Sequence, residues 1–290
     1  MNSYSNRKAA EYLKKLHELL DFEFIKKNAV VLRKPKTIRG KTFEKFIRID
    51  FIGLMGSTLL DGSQALDSEN LFEEFKVLLE SFDKLHEEGI FLKVRFLFEY
   101  PYSVSSLTRI QAEASTCRAS INEPAYSRDF ELTEQIDEDT FSSSFYVGFQ
   151  KSNLRNLQEI ENTLRKKDNW LNKDNPSSLT VRFTPTHPGV CCLIINETLF
   201  YDPYLLAKEN RRSNKLPHLT PVIELNQKDD TITFAAFEDH FRYLWELDVT
   251  LDCEDATKFD PNKINSLSII REPNSITYTV SSSACRIFSL

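Results

Sequence analysis

At 290 residues, with 41% hydrophobic residues, 12% aromatics and 22 Phe, the chain carries enough apolar side chains to bury a sizeable core, which excludes a disordered protein. Seven glycines and a formal charge of −6 give no support for glycine-rich phosphate loops or for bulk attraction to nucleic acid or membranes. No stretch approaches about 18 consecutive apolar residues, so no membrane span is expected, and the polar start MNSYSNRKAAEYLKK has no apolar leader segment.

The charge is unevenly placed. Residues 1–48 hold 13 Lys/Arg against 5 Asp/Glu, a net of +8, and the remainder carries −14. A basic arm on an acidic body fits an acidic partner, nucleic acid or a second copy of the chain. A solvated helix docked on its own acidic body accounts for it more simply. The five cysteines, Cys117, Cys191, Cys192, Cys253 and Cys285, form no CxxC pair. Neighbouring Cys191 and Cys192 point to opposite faces of an apolar segment, so no disulfide framework is expected, and a reducing, cytoplasmic location fits best.

Taken in chain order, residues 8–27 place Tyr12, Leu13, Leu16, Leu19, Leu20 and Phe24 on one helical stripe flanked by lysines. VVLRKPKTIRGKT reads as a basic connector with turns at Pro35 and Gly40. Residues 46–56 read as a buried strand, and Ser68 is a plausible cap for a helix that carries Leu71, Phe72, Phe75, Leu78, Leu79, Phe82 and Leu85 on one face. Gly89 suits the position after that helix, and 90–100 reads as a second buried strand. Strand, helix and strand in this order form a βαβ unit, which implies a parallel pair covered by a helix. Residues 104–120 and 152–167 read as helices, 121–140 as a long polar loop and 171–178 as a turn.

Three short strands follow in LTVRFTPTHP, VCCLIIN and TLFYDPY. After a basic excursion over 208–221, PVIELN reads as a strand and 237–247 as an amphipathic helix. The tail SITYTVSSSACRIF alternates Ile276, Tyr278 and Val280, which suggests an added strand. LKVRFLFEYP (92–101) and LTVRFTPTHP (179–188) echo one another. Duplication and two buried strands entering similar corners both produce such an echo.

The strand series over 47–246 resembles the phospholipase D superfamily in order: a strand with a polar loop, a long helix, a KVRFLF strand and helices, then VRF, motif, TLFYDPY and PVIEL strands and a closing helix. The resemblance implies an α/β fold with a mixed, largely buried central sheet flanked by helices on both faces. A basic N-terminal arm and connector (1–45) precedes the α/β domain (46–250), and an extension with an extra strand (251–290) packs on it. Active members carry His-x-Lys, four residues, Asp, and then Gly-Ser. Anchoring Asn196 on the Asp puts Cys191 at the lysine, Gly189 at the histidine and Pro203–Tyr204 at the Gly-Ser. That chemistry needs an imidazole nucleophile with cationic donors on the phosphoryl oxygens, and none of these identities is kept.

The resemblance therefore implies a catalytically inactive regulatory or binding module for a phosphate-bearing ligand or a protein partner, with a homodimer as the superfamily's usual pairing. The alternative is an active phosphodiesterase or nuclease that uses His187, next to the aligned position, or His240 on the closing helix. A corner histidine and a hydrogen-bonded helix histidine are the simpler readings of these two, while His17, His86 and His218 read as surface residues. Cys191 and Cys192 read as inert buried thiols.

Arg95 and Arg182 oppose their apolar neighbours, as ion-paired residues or as the lining of an anion pocket. Tyr201, Tyr204, Lys208, Arg211 and Arg212 follow the strand that leads to the ancestral phosphate cleft. With Arg109, Arg118 and Arg182, the residues Tyr204, Lys208 and Arg211 are the ligand-binding candidates, although a solvated basic loop explains the last group nearly as well. No spacing of metal ligands is present, so neither a metal nor a cofactor is expected. Nucleic acid enters as a partner only through the basic N-terminal arm, and no membrane partner is expected.

Overall fold

A computed structural model describes residues 2–4, 9–53, 57–60, 71–99, 145–167, 170, 175–184, 187–203, 222–247, 251–253, 268–272, 275–279 and 288–289. The predicted helix at 104–120, the loop at 121–140, the Ser68 cap, the 208–221 excursion and the first half of the 171–178 turn lie outside them.

The N-terminal segment contributes β1 (Asn2–Tyr4), α1 (Ala9–Leu20) and α2 (Phe22–Lys27). One helix was expected over 8–27. Asp21 divides it, because its carboxylate accepts the Phe24 amide at 2.9 Å and starts α2 as a capping residue. The apolar stripe is as predicted, with Leu16, Leu19, Leu20 and Ile25 buried.

The expected connector is instead a strand, β2 (Val30–Ile38), which forms a hairpin with β3 (Lys41–Gly53). Arg39 and Gly40 have φ of 49° and 78°, the doubly positive geometry of a type I′ turn. Pro35 is accommodated because the register shifts between Val31 and Lys36, so no ladder bond is asked of it.

Then come α3 (Ser57–Leu60), α4 (Leu71–Glu80), α5 (Phe82–Glu87) and β4 (Ile90–Glu99). α6 (Phe145–Arg165), β5 (Ser178–Thr184), β6 (Val190–Ile195), β7 (Thr198–Pro203) and β8 (Val222–Asn226) follow. α7 (Thr231–Glu246) begins six residues earlier than its periodicity suggests, because Asp230 caps it by accepting the Thr233 amide at 2.9 Å. β9 (Leu251–Cys253) closes the main sheet.

That sheet has the order β1-β8-β7-β6-β3-β4-β5-β9, and β2 also pairs with β3. β3, β4 and β5 run parallel, as the βαβ reading expects, and the other pairings are antiparallel. The protein is α/β with a mixed sheet. β2 and β6 share one edge of β3 end to end, β2 along its first half and β6 along Ile49–Ile52. The crossovers from β3 to β4 and from β4 to β5 step in the same direction, so the right-handed rule puts their helices on one face. There Phe75, Leu78, Leu79, Phe82, Leu154, Leu157 and Ile160 pack on Ile47, Ile49, Phe51, Val94, Phe96 and Val181. The other face is covered by α7.

The C-terminal expectation changes in one respect: 275–279 forms β11, paired with β10 (Ser268–Glu272) and β12 (Phe288–Ser289) in a separate three-stranded sheet. The strand added to the main sheet is β9, against β5. No helix among the described residues is long and apolar enough to cross a membrane.

Gly89 fixes the β3–β4 corner. Gly89 has φ of 73°, as the helix-end reading predicts, and a Cβ built there would lie 2.9 Å from the Thr42 carbonyl oxygen. Gly89→Ala should cost about 1–3 kcal/mol through this positive φ and backbone contact, read as the shift in urea denaturation midpoint.

His86, expected at the surface, is half-buried, and its Nε2 lies 2.7 Å from the Ser177 hydroxyl, which also accepts the Leu92 amide. Burial, ahead of the opposing effect of Asp83, pulls its imidazole below the usual histidine range. The unfolded chain then takes up a proton near pH 6.5 that the folded chain resists. Stability present above about pH 6.5 is therefore lost as pH falls through the folded value. Denaturation at pH 5 and pH 7.5 should show this loss, and His86→Gln should shrink the difference.

Candidate functional site

The two faces of the sheet differ in chemistry. On the side of α1 and α4–α6 the strands β3, β4 and β5 present mainly apolar residues. On the α7 side the buried apolar residues are Ile52, Leu97, Cys192, Ile194, Leu199 and Leu225, flanked by Val190, Tyr201 and Ile223, and they meet Phe234, Phe241 and Leu244 of α7. The same face of β3, β4 and β5 carries Arg48, Asp50, Lys93, Arg95, Glu99, Arg182 and Thr184, so these charges lie between a sheet and a helix.

Asp50 organises this lane. Its carboxylate is fully buried. It accepts from Arg95 Nε and Nη2 at 2.6 Å each, a two-pronged contact across the Asp50–Arg95 register pair, and also from Arg48 Nε. Arg48 reaches on to Glu238 of α7 through Nη1. Burial alone would lower the Arg48 guanidinium, but Asp50 and Glu238 outweigh it and hold it above its usual value. Arg95 lies over the rings of Phe241 (4.6 Å) and Trp245 (5.3 Å), and Arg182 lies over Trp245 (5.2 Å) while donating to the Trp245 carbonyl. Lys93 faces the same lane, half-buried. Burial first, then Arg95, lowers its ammonium below the ordinary lysine value.

A second constellation sits at the C-terminal edge of the three parallel strands, where ligands gather in open α/β sheets. Glu99 ends β4 and Thr184 ends β5, paired in register and both fully buried. His187 lies just beyond β5, its side chain 34% exposed, with Nδ1 2.8 Å from Glu99 Oε2. The next residue, Pro188, accepts a hydrogen bond from His240 Nε2 at 3.0 Å, which ties α7 to this corner. Val190 then pairs with Pro203, so the end of β7 reaches the same edge.

The two histidines singled out from the sequence thus meet at one corner, in different roles: His187 is held by a carboxylate, and His240 braces the helix. Arg182 is engaged under α7. Arg109, Arg118, Tyr204, Lys208 and Arg211 lie outside the described residues. At the positions aligned with the superfamily motif, Gly189 is an exposed turn glycine with φ of 72°. Cys191 packs against the larger core, away from the α7 side. Asn196 accepts the Arg48 amide at 3.0 Å and donates to the Ile25 carbonyl at 3.3 Å, a structural clamp. Cys192 is fully buried, and burial, then the nearby Asp50 carboxylate, raises its thiol far above the usual range, which suppresses thiolate chemistry.

Sequence reasoning missed Asp50, Glu99, Glu238 and Lys93 as site residues. The signal for the first was present: in FIRIDFIG, Arg48 and Asp50 alternate with apolar residues in a strand otherwise buried on both faces. Glu238 and Glu99 carried no local signal. Among the described residues no group of three His, Cys, Asp or Glu is placed to hold a metal ion. No family model matches the chain, and neither a curated protein nor a solved structure matches it.

Removing the charge of Asp50 should be costly, because two buried guanidiniums lose their shared partner. Asp50→Asn is expected to destabilise by about 3–5 kcal/mol in urea denaturation. Replacing Asp50, Arg48 and Arg95 together by Leu, Met and Met should recover most of that loss, since the desolvation cost of all three charges disappears with them.

Proposed function

We propose that the corner formed by Glu99, Thr184, His187 and Pro188 binds a phosphate-bearing ligand, and that the protein acts as a regulatory or binding module. The observation that carries this reading is His187, part-exposed at the C-terminal edge of the parallel strands while its Nδ1 is anchored on fully buried Glu99. An imidazole fixed in this way is a preorganised partner for a phosphoryl oxygen. The strand end that leads to Tyr204 and the basic 208–212 segment reaches the same edge. Hydrolysis by the superfamily's own route is disfavoured, because the aligned nucleophile position is Gly189 and the aligned lysine is Cys191, facing the other layer.

One observation favours a second reading, an active phosphodiesterase or nuclease. With Nδ1–H donating to Glu99, the neutral ring carries its lone pair on Nε2, the arrangement of a general base. The two readings separate in one experiment. The parent, His187→Ala and Glu99→Gln are challenged with a generic phosphodiester and with single- and double-stranded nucleic acids, and their thermal stabilisation by a panel of small phosphate-bearing compounds is recorded in parallel. The binding module predicts no turnover and a stabilisation that His187→Ala weakens by at least about tenfold in affinity, roughly 1.4 kcal/mol. Turnover lost in His187→Ala without a drop in melting temperature would establish the enzyme. Neither stabilisation nor turnover would remove this corner from consideration.

A further inference from the structure

A strongly charged surface among the described residues lies away from that corner. The hairpin of β2 and β3 is anchored by buried Phe43 against His86 and Phe91, and beyond it Arg33, Lys34, Pro35, Lys36, Thr37, Arg39, Gly40, Lys41 and Thr42 are all exposed. Between Val30 and Lys45 it carries Arg33, Lys34, Lys36, Arg39, Lys41 and Lys45 against the single acid Glu44. Elsewhere on the surface several lysines find carboxylates, Lys15 with Glu18, Lys76 with Glu159 and Lys228 with Glu197, and unpaired ones such as Lys14, Lys84 and Lys166 are scattered singly among the described residues. Among the described residues, Arg33, Lys34, Lys41 and Lys45 pair with none. This concentrated, unneutralised positive charge, exposed on the ribbon although the rest of the chain is acidic, is open to an external polyanion.

We propose that this β-ribbon docks on the phosphate backbone of duplex nucleic acid. Its shape discriminates between polyanions. A two-stranded ribbon with side chains on both faces fits the major groove of a duplex, about 12 Å wide, and cations on both of its strands can reach both phosphate walls. Its outer edge is unsuited to adding a strand from another chain, because Pro35 has no amide proton and the register is broken between Val31 and Lys36. A membrane surface is disfavoured as well. Val31, 69% exposed, is the one large exposed hydrophobic residue of the described ribbon, and the ribbon lacks the aromatic and aliphatic wedge that interfacial anchors use.

At its base the ribbon opens on a shallow cavity of about 340 Å³ lined in part by Lys26, Lys27, Lys45, Glu44 and Glu88. Lys26 there is already committed to Glu23 and Glu88, while Lys45 joins the uncommitted charge that continues outward along the ribbon. The contact carries no sequence reading in its charges. It supplies position and affinity, and that affinity falls with salt as counterions return to the duplex.

The test is fluorescence anisotropy of the full chain with a labelled 20–30 base-pair duplex of arbitrary sequence, over a series of salt concentrations (lengths of roughly two to three helical turns, matched to ordinary site sizes). Arg33→Ala/Lys34→Ala/Lys41→Ala is compared with the parent and with a control triple on other surfaces, Lys14→Ala/Lys84→Ala/Lys166→Ala. Expected is salt-dependent binding that the ribbon triple weakens by at least about tenfold, with the slope of log K against log salt reduced by roughly 2–3. The control triple should bind like the parent. Circular dichroism and melting curves must show the ribbon triple folded; if it is not, the single variants Lys34→Ala and Lys41→Ala give the same comparison at about one unit of slope each. Absence of duplex binding at about 50 mM salt, equal weakening in both triples, or a parent dimer in sedimentation that the ribbon triple dissolves without any duplex binding would overturn the proposal, the last in favour of a second copy's acidic body.

Discussion

The arrangement of the sheet turns on one buried carboxylate. Asp50 stands in β3, the longest of the described strands, with no exposure to water, and such a group is tolerable only where cations and hydrogen-bond donors surround it. Arg95 from the neighbouring parallel strand and Arg48 from the same strand supply them. Arg48 also reaches Glu238, so the charge that Asp50 requires is the same charge that orients α7. Phe241 and Trp245 then cover the guanidinium plane of Arg95. Had the central strands been apolar on both faces, a helix with Phe234, Phe241 and Leu244 could slide across them with little energetic preference. The chain of Asp50, Arg48 and Glu238 gives that helix one position, a specificity that the apolar contacts alone do not provide.

Much of this architecture was legible in the sequence, for a physical reason. Strands buried on both faces read as near-continuous apolar runs, and IFLKVRFLFE and FIRIDFIG did so clearly enough to identify the parallel pair. The three strands of 178–203 were separated by turn residues at the expected places, and Gly89 fell where a helix must end in a positive φ. The failures are equally physical. A helix was read through Asp21 because its apolar stripe continues beyond it, while the cap that splits it is a side-chain hydrogen bond with no periodicity. VVLRKPKTIRGKT was read as a connector because Pro35 and a dense set of cations mask its strand. Those features mark an edge that faces solvent on both sides, which has no apolar alternation to display.

The site was legible in part. His187 and His240 were identifiable because histidine is rare in this chain, and Arg95 and Arg182 because they interrupt apolar strands. That His187 and His240 meet at one corner was not visible, since the contact runs through the Pro188 carbonyl. Glu99 was passed over because a glutamate before Tyr-Pro at a strand end is indistinguishable from a solvated residue until β5 is laid beside β4. Pairings of this kind belong to the topology, and only the strand order discloses them.

The pairing of β1 with β8 sets Asn2 opposite Glu224, and this shapes how the chain acquires its form. During synthesis the first residues leave the ribosome long before β6, β7 and β8 exist. The β3–β4 unit, joined by near neighbours in sequence, closes early, while the far edge waits for nearly the whole chain. Loop-closure entropy makes contacts of such separation late and slow. The hairpin with β2, local in sequence, covers the first half of one β3 edge, and β6 covers Ile49–Ile52 on the same edge. A strand close in sequence thus occupies the part of the β3 edge that β6, about 140 residues later, does not reach.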